Sequence, residues 1–404
     1  MNTPTHHARH TAHLNTAYAG RMPRAVRAVL AGRTAHDDRH TAPAPPGRPA
    51  PRERALHELL GRLLGVAADD TVLATGAAQV FDAYTARLDL RPGDRIWTTP
   101  HEGVAHLTAL HALRDRTRAR LETVPLRTDG DLDLDWMREH LDDDVALVSV
   151  VHVSAACGTL NPAEDIGRLL APHRARYLLD ASHSAGQLPL DAARIGCDLL
   201  TADGFRFLRG PQDTGFAYLR PGREDTHPQA PAPTPAAAAA LACALAHPTP
   251  APAAPDLLPR LRAALRQIPG TELLPAGTAQ AGILAFRHPQ VPAALLRRRL
   301  ARLGVAVAKT VAQETPLHPA GRGGATAVRV SVTADTTPRD LDRLTHALEQ
   351  ILREEHHTTT NTAAVHPPRQ TAAPVRAAAG HSTPRPAHTT PPPRRGHLTL
   401  HLTP

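Results

Sequence analysis

The sequence predicts an α/β protein with a mostly parallel sheet covered by helices on both faces, followed by a smaller α+β domain. Strand-like and helix-like segments alternate from residue 53 to about 220, and a Pro- and Ala-rich stretch between 222 and 259 separates them from a second set of elements. Such alternation is typical of parallel sheets, whose ligands lie at the carboxyl ends of the strands. The 404 residues suffice for two hydrophobic cores. With 3% aromatic residues, these cores must be aliphatic.

The elements of the first region follow from the spacing of apolar residues. Five leucines between 56 and 64 recur at helical spacing, and a short apolar strand predicted over 71–75 is followed by Gly76 and a further helix. The same reasoning predicts strands at 95–99, 120–126, 145–153, 176–180 and 197–201, another that begins at 214, and helices at 102–116, 134–141 and 162–171.

The second region is predicted from the same patterns. Helices are expected at 257–268, 292–303 and 338–352, and strands at 282–286, 304–308 and 327–332. One apolar run, 236–246, predicts a single helix inside the Pro- and Ala-rich stretch. This mixture indicates the smaller α+β domain.

The basic charge of the chain belongs to its two ends. Residues 1–52 carry eight arginines against two aspartates and residues 356–404 carry five arginines and no acid, whereas 53–355 has a net charge of −3 in a chain of +8. A nucleic-acid-binding domain would carry its basic patch on the folded part, so nucleic acid is not an expected partner. The last 49 residues are dominated by Pro, Thr, Ala, His and Arg, which predicts a disordered tail.

The remaining composition favours a cytoplasmic protein without membrane contact. There is no run of about 18 apolar residues and no secretory signal pattern at the polar N-terminus. The three cysteines are widely spaced in apolar runs, which argues against a disulfide framework. His101, His106 and His111 recur every five residues, which turns them around a helix, so the sequence predicts no metal site.

The segment 176–220 carries most of the chemical information. Asp180 ends an apolar strand, His183 follows three residues later, and a Gly-Pro turn at 210–211 precedes a Gly-Phe strand at 215–216. With residues 13–16, 92–94, 158–162 and 329–331 in the same order, the chain resembles the class V aminotransferases and their relatives, the cysteine desulfurases, isopenicillin-N epimerase-like enzymes and ergothioneine C–S lyases. The resemblance extends from residue 13 to the last predicted helix.

The resemblance implies a fold-type-I architecture that binds pyridoxal 5′-phosphate (PLP), with a seven-stranded sheet in the large domain and a homodimer that shares the site. The implied organisation is a disordered tail at 1–12, an N-terminal segment joining the small domain at 13–52, a large PLP-binding-like domain at 53–222, a Pro/Ala-rich connector with one helix at 223–255, a small C-terminal domain at 256–354 and a disordered basic tail at 355–404.

The resemblance also implies roles for individual residues. Asp180 would pair with the PLP ring nitrogen and His183 with its phenolate oxygen. Ala77 would offer a backbone N–H to the phosphate at a helix start, and Thr234 would lend a hydroxyl to the phosphate in the other subunit. Arg329 would clamp a substrate carboxylate bidentately. From the residues alone, Asp180 can also cap the following turn, and His183 can be a hydrogen-bonded turn histidine.

Several positions depart from the family pattern. Arg206 stands where the Schiff-base lysine belongs, and a guanidinium stays protonated, so it cannot supply the free amine. Around it, Ala78 replaces a hydroxyl residue of the phosphate loop, Gly103 a ring-stacking side chain, Asp203 a Ser or Thr beside the phosphate, and Ala155 a substrate-side Asn. The resemblance therefore implies that PLP is bound non-covalently or is absent.

A second amine is scarce in this chain. Its one lysine, Lys309, follows the strand predicted over 304–308, in a region that lines the substrate entrance in relatives, so Lys309 is a remote candidate for the missing role. Residues 310–324 contain no cysteine where the family's nucleophilic cysteine loop would lie, which argues against desulfurase activity.

The sequence thus predicts a degenerate or non-canonical class V aminotransferase-like protein that binds an amino acid or a phosphorylated ligand. One alternative is an active PLP-dependent C–S lyase, epimerase or aminotransferase acting on a small amino acid derivative. A second alternative is a scaffold that acts through its basic tails. Besides a homodimer, pairing with an intact relative stays open.

Overall fold

The computed structural model describes residues 11–37, 51–222, 228–247, 254–310, 314–319 and 326–365. Residues 1–357 form one compact unit and residues 358–404 a second. The strands are β1 (Ala12–His13), β2 (Thr71–Ala74), β3 (Arg95–Thr98), β4 (Arg120–Thr123), β5 (Val145–Val151), β6 (Arg176–Asp180), β7 (Leu199–Asp203), β8 (Gly215–Leu219), β9 (Glu272–Leu273), β10 (Ile283–Arg287), β11 (Val305–Ala306), β12 (Ala308–Lys309) and β13 (Val328–Ser331). The helices are α1 (Arg24–Asp37), α2 (Pro51–Leu64), α3 (Ala77–Thr85), α4 (Val104–Thr117), α5 (Leu134–His140), α6 (Ala163–Leu170), α7 (Ala192–Ile195), α8 (Pro235–Ala246), α9 (Ala254–Gln267), α10 (Ala293–Arg302) and α11 (Pro338–Val365).

Seven strands form the central sheet, in the order β2-β8-β7-β6-β5-β3-β4. Neighbouring strands are parallel from β7 to β4, whereas β8 is antiparallel to both β2 and β7. The predicted mostly parallel seven-stranded sheet is therefore confirmed. Val151 pairs with Asp180, and Asp180 with Thr201. The carboxyl ends of β5, β6 and β7 consequently lie side by side at one edge of the sheet.

Aliphatic side chains cover both faces of this sheet. All residues of β5 are buried, and α6 packs Ala163, Ile166 and Leu170 into the core on one face. Gly167 of the same helix lies against backbone, because a Cβ built there would be 1.8 Å from the Ile195 carbonyl oxygen. Packing this close leaves the strand ends little freedom to shift.

A second core surrounds a four-stranded antiparallel sheet, β12-β13-β10-β9, together with α9, α10 and α11. β1 pairs in parallel with β11, so Ala12 and Leu14 pack in this core. The strand predicted over 304–308 is instead two short strands, β11 and β12, in different sheets. The apolar run 236–246 forms α8 as predicted, and it packs against α1, a helix that was not predicted.

The predicted ends and connector are described in part. Of the two predicted tails, the structure describes residues 11–12 and residues 355–365, where α11 continues to Val365; the rest lies outside the described residues. The predicted connector 223–255 is described at 228–247 and from 254. No helix within the described ranges is both long and apolar enough to cross a bilayer.

Candidate functional site

A cleft of about 490 Å³ opens at the carboxyl ends of β5, β6 and β7. It lies where the parallel arrangement of strands places ligands in α/β proteins. Nine of the site residues taken from the resemblance line it: Ala77, Ala78, Gly103, Ala155, Asp180, His183, Asp203, Arg206 and Arg329. His101 and His106, which the sequence analysis considered as metal ligands, line it too. The fold therefore brings together positions up to 252 residues apart in sequence, from Ala77 to Arg329.

Two predicted residues are not among those that line the cleft. Thr234 caps α8, where its Oγ1 accepts a hydrogen bond from the Ala237 N–H at 3.2 Å. Lys309 lies on β12, paired with Val328 of β13. Within this chain, neither side chain is placed to touch a ligand in the cleft.

The Arg206 side chain is held firmly in the cleft wall. Its Nε donates to Asp203 Oδ2 at 2.9 Å and its Nη1 to the Ala17 carbonyl at 2.7 Å. The guanidinium also lies over the Phe205 ring, 5.0 Å from the ring centroid. These contacts fix a permanently charged group with no lone pair available for nucleophilic attack.

The side chain of Asp203, the last residue of β7, reaches the start of α3. Its Oδ1 accepts a hydrogen bond from the Ala77 N–H at 3.1 Å. The first N–H groups of a helix attract anions because they lack partners within the helix. Here a carboxylate of the chain itself takes that position, and it is the same carboxylate that pairs with Arg206.

Asp180 remains available at the end of β6. Its Oδ1 accepts from the Ser182 N–H at 2.8 Å, and its Oδ2 lies 3.9 Å from His106 Nδ1. His106 Nδ1 is also 3.3 Å from Glu102 Oε1, and the imidazole stacks on Phe81 with centroids 4.0 Å apart. Burial lowers the pKa of His106, but the neighbouring Glu102 and Asp180 outweigh it, so this pKa is raised.

The sequence analysis did not assign the Glu102–His106 pair to the site. Glu102 is fully buried and accepts hydrogen bonds from Ser149 Oγ at 2.8 Å and Thr98 Oγ1 at 3.3 Å. The available signal was the spacing, since residues four apart face each other across one helical turn. His106 was considered only as a metal ligand with the histidines five residues away.

His183 faces the same loop as Arg206. Its Nε2 lies 3.1 Å from the Ala17 carbonyl, and because a carbonyl can only accept, Nε2 carries the proton. Its Nδ1 is buried and has no hydrogen-bond partner. Burial, together with the charges of Arg206 and Arg329, holds the pKa of His183 well below its usual range. The ring is therefore neutral, with an acceptor nitrogen left for a ligand.

The segment 17–20 closes this side of the cleft. The Ala17 N–H donates to Ser331 Oγ at 3.0 Å, while the Ala17 carbonyl accepts from both Arg206 and His183. A Cβ at Gly20 would lie 2.1 Å from the Arg206 carbonyl oxygen, so this approach requires glycine. The side chain of Tyr18, which is 58% exposed, lines the rim.

Arg329 supplies a buried positive charge on the opposite wall. Its Nη1 donates to the Ala155 carbonyl at 2.9 Å and to Glu314 Oε2 at 3.1 Å. Its Nε is buried and has no acceptor. Burial lowers the pKa of this side chain although Glu314 opposes the shift. A guanidinium only 2% exposed with an unused donor is suited to an anionic group in the cleft.

Gly103 leaves open space at the start of α4. A Cβ built on this glycine would meet only the Glu314 carbonyl oxygen, at 4.0 Å. The position can therefore hold a larger side chain without displacing backbone. The cleft is wider here than a ring-bearing residue would leave it.

Known proteins match the part of this chain that forms the large sheet and most of the cleft. The family model described as aminotransferase class-V matches residues 53–234. A probable cysteine desulfurase from Xylella fastidiosa (strain 9a5c) is 32% identical over 180 residues, 44% of this chain and 42% of that protein. One from Synechocystis sp. is 36% identical over 137 residues, 34% of this chain and 32% of that protein. The matched stretches thus span roughly a third to two fifths of the length of these curated relatives.

Solved structures extend the likeness to most of the fold. The apo cysteine desulfurase from Thermococcus onnurineus NA1 has a TM-score of 0.74 at 18% identity, over 85% of this chain and 95% of that one. The cysteine desulfurase CsdA from Escherichia coli has a TM-score of 0.73 at 19% identity, with the same coverage. The cystine C–S lyase C-DES, solved with its product cysteine persulfide, has a TM-score of 0.69 at 16% identity, over 84% and 97%.

Proposed function

Because this chain belongs, through residues 53–234, to the class V aminotransferase superfamily that includes the cysteine desulfurases, we propose that it binds a small amino-acid-like carboxylate without a Schiff base to the protein. The observation that carries the proposal is the Arg206–Asp203 ion pair. By the family resemblance, Arg206 stands at the position of the Schiff-base lysine, and Asp203 bonds to the helix start at which the resemblance places the phosphate.

The residues present do not fit a covalently anchored PLP. Arg206 offers no free amine, and the Asp203 carboxylate would stand beside the phosphate, where like charges repel. His183 and Asp180 keep groups that could meet a pyridine ring, but the ring has no stacking partner at Gly103. No step of the proposed function therefore runs through the cofactor.

The charges of the cleft favour a zwitterion over a phosphorylated ligand. Arg329 offers its free Nε to a carboxylate, and Asp180 offers carboxylate oxygens to an ammonium group at the other side. Asp203 blocks the helix start that a phosphate would need. An α-amino acid or a close derivative satisfies both sides at once.

The alternative of a working PLP enzyme depends on Lys309. That lysine is not among the cleft-lining residues of the described chain, and residues 310–324, where the family resemblance places the nucleophilic cysteine loop, contain no cysteine of their own. The alternative of a scaffold acting through its tails concerns residues of which most lie outside the described ranges. Deleting 356–404 tests it by loss of partner binding with the core still folded.

The ligand proposal is tested by calorimetry with a panel of free amino acids and their des-amino and des-carboxy analogues. We expect saturable binding of at least one amino acid, weakened about 10- to 100-fold in Arg329→Gln, which corresponds to a lost charge-assisted hydrogen bond. Arg297→Gln, at an exposed arginine of α10, is the matched control.

The result that overturns the proposal is binding that survives Arg329→Gln undiminished, or no binding by any member of the panel. Because Arg329→Gln also leaves Glu314 unpaired, Arg329→Lys provides a second variant that keeps the charge. If Lys retains binding partly while Gln loses it, the charge acts on the ligand and the loss is not one of folding.

A further inference from the structure

Three potential metal ligands meet beside the cleft, and one of them, His101, is among the residues that line it. His101 precedes α4, Cys157 lies in the loop after β5, and His318 lies in the described segment 314–319. All three side chains are buried, and one ligand atom from each lies within 4.8 Å of the other two. They come from three separate parts of the chain, so no local sequence pattern marks them.

The spacing within this His101–Cys157–His318 cluster suits a tetrahedral ion. Cys157 Sγ and His318 Nε2 are 3.7 Å apart, close to the ~3.6 Å expected between a thiolate and an imidazole nitrogen on one tetrahedral zinc. The two imidazole rings meet edge to face with centroids 5.4 Å apart.

A second observation points to a ligand at this place. Both ring nitrogens of His101 are buried and have no hydrogen-bond partner, although the residue is only 1% exposed. Buried polar groups are nearly always satisfied, so an orphaned imidazole calls for an explanation such as an unseen ion. The Cys157 thiol donates to Ser154 Oγ at 3.6 Å, and the Thr159 hydroxyl, 3.1 Å from Cys157 Sγ, is placed to donate to a thiolate.

We propose that His101, Cys157 and His318 bind one zinc-like divalent cation, with the fourth position taken by water or by a ligand. Two imidazoles and one thiolate are ligands that zinc prefers, whereas magnesium and calcium prefer oxygen. The sequence-based expectation of no metal site rested on the histidines along one helix and on the wide spacing of the three cysteines, which made a zinc cluster unlikely. The fold instead combines His101 with residues 56 and 217 positions further along the chain.

The ion would tie the 314–319 segment to the large sheet. That segment already contacts the start of α4, where the Val104 N–H donates to the Glu314 carbonyl at 3.1 Å. Its Glu314 side chain pairs with Arg329. A metal at the cluster would therefore fix the partner of the arginine that faces the cleft, but its binding does not depend on the proposed ligand.

Metal content of the full-length protein, purified without a histidine tag, tests the proposal. After incubation with Zn²⁺ and extensive dialysis, elemental analysis is expected to find one equivalent retained, and Co²⁺ is expected to give the intense visible bands of a tetrahedral site with a thiolate charge-transfer band. Cys157→Ser and His318→Gln should each reduce retained metal at least tenfold, whereas Cys243→Ser and His111→Ala should retain it.

Thermal unfolding separates loss of the site from loss of the fold. Zn²⁺ should raise the Tm of the natural protein and of both control variants, but not of folded Cys157→Ser or His318→Gln. Failure to retain zinc in the natural protein overturns the proposal. So does equal retention in Cys157→Ser, which would place the ion elsewhere among the 26 histidines. Neither result bears on amino acid binding at Arg329.

Discussion

At the scale of single residues, Arg206 is tied closely to its surroundings. It forms an ion pair with Asp203 and a hydrogen bond to the Ala17 carbonyl, and Asp203 in turn accepts from the Ala77 N–H. Two side chains that the resemblance singles out as departures are therefore bonded to each other. We propose that this pair fills the place of an imine-forming amine while the cleft keeps its charged walls.

Buried histidines make stability depend on pH in a way that single variants can isolate. Burial lowers the pKa of His152 to about 4, against the opposing charges of Glu164 and Asp180. The folded protein thus binds fewer protons than the unfolded chain between about pH 4 and 6.5, so this contribution is complete above pH 6.5 and is lost as the pH falls. Burial also lowers the pKa of His101 to about 3 and that of His318 to about 4. Their contributions to stability are therefore also lost as the pH falls.

We predict that His152→Asn weakens the acid sensitivity of the fold. Its Nδ1 lies 3.0 Å from Ser184 Oγ, a contact that an amide can replace. Between pH 7 and pH 5 the free energy of unfolding should fall by about 2 kcal/mol less in the variant than in the natural protein. Urea unfolding at the two pH values measures this difference. Equal falls in both proteins would show that His152 is not the buried neutral group described.

At the scale of elements, the bounds of strands were predicted from the sequence better than the pairing of strands and the packing of helices. The strand 176–180 appears with the same bounds, because an apolar run that ends in a charged residue at a turn is a local signal. The strand 304–308 divides between two sheets, since pairing is decided by distant β1 and β13. α1 was not predicted because only its packing on α8 distinguishes it from an arginine-rich stretch.

The residues of the site show a similar contrast between those that were predicted and those that were missed. Nine residues transferred from the family pattern line the cleft, since the order of strands fixes which loops meet at the sheet edge. Glu102 and His106 were missed although their spacing of four residues was a local signal, and Glu314 was missed because its partner Arg329 lies on a distant strand. The pairing of Arg206 with Asp203 was also not predicted, although a spacing of three residues made it possible.

Two helical glycines allow a matched test of the packing of α6. At Gly167 a Cβ would clash with the Ile195 carbonyl at 1.8 Å, whereas at Gly32 of α1 nothing lies within 4 Å. Gly167→Ala should therefore lower the free energy of unfolding by about 1–3 kcal/mol or more. Gly32→Ala should leave it unchanged or raise it by up to ~1 kcal/mol. Equal effects in chemical denaturation would refute the close approach of α6 and α7.

At the scale of the whole molecule, we propose a homodimer of the kind the family resemblance implies. Thr234 does not line the cleft of its own chain, which accords with its implied place near the other subunit's site. Light scattering on the purified protein should give twice the 43.1 kDa of one chain. A monomer over the accessible concentration range would contradict the dimer, and a dimer unaffected by added relatives would exclude obligate pairing with an intact one.

We propose that the protein forms no Schiff base with PLP, and because the chain has a single lysine, this can be tested directly. The natural protein is incubated with PLP, reduced with borohydride, digested and mapped by mass spectrometry, with Arg206→Lys/Asp203→Ser as the variant that restores both amine and phosphate site. Lys309 is the chain's one lysine. The account predicts no cofactor adduct on Lys309 of the natural protein and an adduct on residue 206 of the variant. A stoichiometric adduct on Lys309, with turnover of an amino acid, would contradict it.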